Sequence, residues 1–277
     1  NVIGGWFLTA FGAFVASGIV VFLIRWDKET MVPVLLLLTL VLLARNFLKY
    51  KNKKIQLNHK ELKKSESSTV QGIISESADN IVNVISRTNK IYSNFLNGLS
   101  TQDSDLLKKS KKGVAKLGAE IEELRDNIFF LIKSLDETSV RGSNFYIIIL
   151  AYLTDIAQSL DFISKKSYKH VNNQHEKLKF KQFKDLKVID DRLNLLYKEI
   201  IDIFNTRKFE RVSIILAQKE EIIILLNEKI NTQIERTRLE ESSPKNTTLY
   251  FNILLETKDL VNSIMNLMDE YFRSYKK

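Results

Sequence analysis

The feature that most constrains this chain is the split between an uncharged, apolar first fifth and a long charged remainder with almost no helix breakers. Val2 to Ile24 holds no charged residue, and neither does Met31 to Ala44. After Arg45 no uncharged apolar run long enough to span a bilayer recurs. The chain has two prolines and nine glycines, and Gly4, Gly5, Gly12 and Gly18 all fall in the first apolar run. The remainder can therefore run as long uninterrupted helices, which predicts an all-α soluble part. There is no cysteine, so disulfides, thiolate metal sites and cysteine nucleophiles are excluded together.

Val2–Ile24 has 23 residues, about 34 Å as a helix, enough to cross a ~30 Å hydrocarbon core. Gly4, Gly12, Ala16 and Gly18 give it a stripe of small residues of the kind that lets membrane helices approach closely. Trp6 and Trp26 stand near its two ends, as interfacial aromatics do. A second run, Met31–Leu48, carries Arg45 close to its boundary, where the long side chain can snorkel. Residues 1–48 are thus expected to be a hairpin of two transmembrane helices. Lys49, Lys51, Lys53 and Lys54 follow at once, a basic membrane-surface cluster. By the positive-inside rule that end, and the soluble part after it, is cytoplasmic. The sequence starts at Asn1 inside or just before an apolar run, without a basic leader or cleavage site. It reads as the C-terminal part of a longer multi-pass membrane protein.

Net charge is +9. The apolar runs and their connection contribute only Arg25, Lys28 and Arg45 against Asp27 and Glu29, so nearly all of the excess lies in the remainder. Both signs are mixed there along helical faces, which fits a solvated surface near anionic headgroups better than nucleic-acid binding.

After a basic linker at 49–64, residues 65–277 divide into six periodic segments. These are expected at about 67–96, 103–135, 143–170, 183–204, 210–238 and 244 to the end. Asn97-Gly98 reads as a helix stop, and Ser243-Pro244 as a helix start. Asp155-Ile-Ala-Gln-Ser-Leu160 matches Asp259-Leu-Val-Asn-Ser-Ile264 in residue type at a spacing of 104. A match of this length can arise by chance among amphipathic helices. Its place in the last helix of each trio favours an internal duplication, with two three-helix bundles side by side.

Asn1-Val-Ile-Gly-Gly-Trp6-Phe-Leu-Thr9 resembles a late membrane helix of the PiT-type inorganic phosphate transporters, where a Trp-x-x-Thr element recurs. Tyr152 to Leu160, with Tyr168 to His175, resembles the PhoU-like cytoplasmic domain fused to some bacterial members. The resemblance implies a bacterial inner-membrane protein that takes up inorganic phosphate with a coupling cation. It also implies a cytoplasmic domain of regulatory role that could pair as a homodimer. The Asn-Asp signatures of the family's transport site are absent from these residues, so the transport site would lie in the rest of the transporter chain. PhoU proteins carry Glu-x-x-x-Asp metal motifs. Asp155 and Asp259 match the Asp, while Ala151 and Leu255 stand where the Glu would be, which speaks against a PhoU-style cluster.

Two carboxylate pairs at single-turn spacing could supply oxygen ligands to a divalent metal: Glu122 with Asp126, and Glu256 with Asp259. Asp155 joins them if it and Asp259 mark equivalent points at the seam between bundles. The alternative for each is a solvated helix face, with Arg125 beside the first pair. His170 and His175, five apart, are poorly spaced for joint ligation. No nucleophile-base arrangement or phosphate-cradling glycine loop is present, so the chain is not expected to be an enzyme. A membrane-anchored scaffold or sensor that binds partner proteins without transporting is the rival reading.

Overall fold

The computed structural model describes residues 70–134 and 140–275, with helical positions at 11–15, 17–18, 20–22, 24–25, 32–34 and 37. It divides into two compact units, Asn1–Ser65 and Glu66–Lys277. In the first unit the described positions are helical, including a short apolar helix at Phe11–Phe22. Most of the expected second span, and Lys49, Lys51, Lys53 and Lys54, lie outside the described residues.

The second unit is all-helical, as the scarcity of breakers predicts. Among its described residues there is no strand. Its helices are α1 (Val70–Thr101), α2 (Ser104–Asp126), α3 (Ile128–Ser134), α4 (Val140–Asn172), α5 (Phe180–Thr206), α6 (Val212–Ala217), α7 (Lys219–Arg238) and α8 (Pro244–Tyr275). Asp103 caps α2 by accepting the Leu106 N–H at 2.9 Å. Ser243 accepts the Asn246 N–H at 3.3 Å, with Pro244 as the first helical residue of α8, as the sequence predicts.

Two expected helices are broken. The second splits at Asn127 into α2 and α3, and the fifth begins as a 3-10 turn at Phe209–Arg211 followed by α6 and α7. The first also runs past its expected stop, to Thr101.

α1, α4, α5 and α8 form the centre, with α2 packed on α1 and α4, and α7 packed on α8 and α5. This gives two three-helix bundles, α1–α2–α4 and α5–α7–α8, joined mainly through α4 against α8 and α1 against α5. Leu107, Leu117, Leu153, Leu160, Leu193, Ile253 and Leu260 are among the fully buried side chains. Each such side chain contributes about 1.5–3 kcal/mol. Phe145, Phe204, Phe209 and Tyr271 form an aromatic cluster of edge-to-face and tilted pairs, with centroids 4.7–5.4 Å apart, that locks α4, α5 and the 3-10 turn onto α8.

Ser143–Asn172, within α4, is long and apolar enough to cross a membrane by length and composition. Half of its apolar window is buried inside the unit, so it serves as a core helix. Polar bonds fix the register at the centre. The Tyr92 hydroxyl bonds Thr257 Oγ1 at 2.7 Å, while Thr257 donates to the Ile253 carbonyl at 2.6 Å. Ser93 donates to the buried Asp190 at 2.8 Å, and Ser77 meets the Tyr271 hydroxyl at 2.7 Å.

Candidate functional site

α4 and α8 cross in antiparallel register. Phe145 packs edge-to-face against Tyr271 with centroids 5.1 Å apart, and Ser159 hydrogen-bonds Glu256. Interpolating between those contacts sets Asp155 and Ile156 opposite Asp259 and Leu260. The first two residues of each matched hexapeptide therefore meet at the crossing.

An open cleft of about 470 Å³ lies there. Asp155, Gln158, Ser159 and Phe162 line it from α4, and Glu256, Asp259, Asn262 and Ser263 from α8. The spacing within each set is three or four residues, so each set is one face of one helix. Three lining positions on each helix are equivalent at the 104-residue offset: Asp155 and Asp259, Gln158 and Asn262, and Ser159 and Ser263. Phe162 and Glu256 break the symmetry, one adding an apolar wall and the other a third carboxylate.

Burial pushes the Glu256 carboxyl above its ordinary range. The negative charge of Asp259 adds to that shift, and the Ser159 hydrogen bond partly offsets it. No lysine or arginine lines the cleft. Three carboxyls without a lining cation make a negative concavity that suits a cationic ligand and disfavours a free phosphate anion.

The cleft brings together Asp155, Glu256 and Asp259 of the expected site residues. Glu122 and Asp126 are elsewhere: both are exposed on α2, and Glu122 is ion-paired with Arg125. His170 is buried at the end of α4, where its Nε2 lies 2.9 Å from the Glu176 carbonyl, and its ring packs 5.1 Å from that of His175. Burial lowers the His170 pKa; the Glu176 carbonyl contact raises it, and neighbouring His175 lowers it further. Ser159 and Phe162 were not singled out in the sequence. Ser159 lies inside the matched hexapeptide, but facing Glu256 requires the tertiary register.

No protein-family model matches the chain, and no curated protein matches it. Among solved structures it is similar to the phosphate transport system regulatory protein PhoU from Streptococcus pneumoniae. The TM-score is 0.59 and the identity 14%, over 75% of this chain and 97% of that one. The chain therefore has a PhoU-like fold. A PhoU-style multinuclear metal centre does not fit the residues present. The side chains one turn before Asp155 and Asp259 are Ala151 and the half-exposed Leu255, which offer no ligand. Among the described residues no group of three or more His, Asp or Glu stands close enough to hold a metal ion.

Proposed function

We propose that residues 66–277 are a regulatory module for phosphate transport, belonging to an inorganic phosphate transporter of the PiT type in a bacterial cell membrane. The observation that carries this reading is the correspondence of the fold to nearly the whole length of a phosphate-transport regulator. The uncharged runs at 2–24 and 31–44 and the Trp6-x-x-Thr9 element support the transporter part, and the lysines from 49 to 54 support a cytoplasmic module. The transporter would couple phosphate to a cation gradient, with its transport site in other membrane segments.

The module would act as a two-state element rather than as an enzyme. α4 and α8 are each shared between one bundle and the central seam, so a small change in their crossing would be felt on both sides. Biasing a transporter between states needs only ~1–3 kcal/mol of coupling. The acidic lining of the cleft would favour a cationic group, rather than phosphate itself, at that crossing.

The test is labelled-phosphate uptake by proteoliposomes holding the intact transporter, with and without residues 66–277, under an imposed cation gradient. Uptake that changes on truncation supports a regulatory module. Absence of phosphate uptake in both forms leaves an anchored scaffold instead.

A further inference from the structure

One end of the second unit carries a surface that the fold does not explain. From Lys177 to Lys184 the sequence is Lys-Leu-Lys-Phe-Lys-Gln-Phe-Lys, with four lysines and no acidic residue. Leu178 is buried and anchors the segment, while Lys177, Lys179, Lys181 and Lys184 are exposed. Phe180, the first residue of α5, is 82% exposed.

The α7–α8 connection is brought to the same end. Gln182 donates to Ser242 at 3.2 Å and to Gln233 at 3.1 Å, and Asn246 donates to the Lys177 carbonyl at 2.8 Å. That connection presents Leu239, which is 70% exposed, flanked by exposed Arg238 and Lys245.

Neither the charge nor the apolar exposure helps the unit by itself. The first turn of α5 holds no acidic residue, and Lys179 and Lys181 stand against the positive end of its dipole, which is locally unfavourable. Their pairings with Glu176 and Glu241 are exposed surface contacts, which are worth little. Glu240, Glu235 and Asp185 are the other acids nearby; Glu235 is paired with Arg238, and Asp185 with Arg236 and Lys229.

We infer that this end, with Phe180 and Leu239 as the apolar tip and Lys177, Lys179, Lys181 and Lys184 around it, docks on an anionic lipid surface. The chemistry is that of an interfacial anchor: an apolar side chain enters the headgroup boundary while lysines meet lipid phosphates. A nucleic acid fits less well, because the tip is formed by two projecting connections rather than a groove and Leu239 offers no stacking surface. The inference does not depend on the phosphate reading, since it concerns only what this end touches.

The absence of cysteine permits a clean test on the full chain. Phe180→Cys is labelled with an environment-sensitive fluorophore, and the chain is reconstituted with phosphatidylcholine vesicles or with vesicles containing about 30 mol % phosphatidylglycerol. Quenching by spin-labelled lipid reports insertion at the tip, however the rest of the chain associates with the vesicle. The expected result is a blue shift and quenching on the anionic vesicles only, both lost in about 0.5 M NaCl. Combining Lys177→Gln, Lys179→Gln and Lys181→Gln should also abolish them. The salt arm uses the unmutated lysines, so it stands even if that variant folds poorly. A control label at Ile224→Cys, about 20 Å along α7 from the tip, should stay unquenched. Absence of quenching on anionic vesicles overturns the inference. So does a label that responds to single-stranded DNA, an acidic peptide or a second copy of the chain but not to vesicles.

Discussion

Glu256 is the residue at which the cleft's electrostatics can be read most directly. Its carboxyl is pushed above the ordinary value of 4.5 by burial first and by Asp259 second, with the Ser159 hydrogen bond acting in opposition. A group whose pKa is raised on folding contributes stability below its unfolded value and loses it as pH rises through the folded value. At neutral pH Glu256 is therefore a cost, set by a nearby like charge and incomplete solvation. Glu256→Gln keeps an acceptor for Ser159 and removes the charge. The variant is expected to be more stable than the parent at pH 7, with the difference closing below about pH 4.5. Urea midpoints across that range measure it, and a difference independent of pH would remove Asp259 from the explanation. Glu256 was legible in sequence as a partner of Asp259 one turn away. Its contact with Ser159 was not, because it depends on which residue of another helix comes opposite.

Among the helices, the connections explain both what the sequence predicts and where its boundaries slip. Asn97-Gly98 has the composition of a helix stop, yet α1 continues through it to Thr101. Gly98 serves close approach: a Cβ there would lie 2.7 Å from Leu107 Cγ, where α2 folds back onto α1. Gly98→Ala is accordingly expected to cost roughly 1–3 kcal/mol, as overpacking does, measured by denaturant unfolding. The true turns use left-handed residues that are not glycine: Gln102, Gln174, Arg207 and Glu240, with φ of 54–57°. No glycine marks these turns, so the expected ends of the third and fourth helices fell short, and that of the first did because Gly98 reads as a stop. Gln174 is exposed, and Gln174→Gly relieves its backbone strain. A gain of up to about 1 kcal/mol is expected in the same measurement. The splits at Asn127 and around Phe209–Gln218 also lack Gly or Pro, and helical periodicity runs through both. α4 shows the opposite case, since its pattern predicts the helix well. Composition alone does not separate it from a membrane span, because a helix packed against α1, α2, α3 and α8 is apolar on much of its surface.

For the molecule as a whole, a matched pair of hexapeptides is what made both fold and cleft readable from the sequence. Two hexapeptides 104 residues apart predicted two bundles, and the same hexapeptides supply the symmetric lining of the cleft at the α4–α8 crossing. The lysine-rich end around Phe180 was not singled out, because its meaning depends on the α7–α8 connection being brought beside it. The regulatory account places the unit's influence in that crossing, so its central claim concerns how transport responds to supply, beyond whether transport occurs. The most direct measurement is the initial rate of phosphate uptake by cells grown at high and low phosphate, carrying the intact transporter or the form lacking residues 66–277. The account predicts that the intact protein adjusts its rate to supply and that the truncated one does not. Equal adjustment by both forms would contradict it.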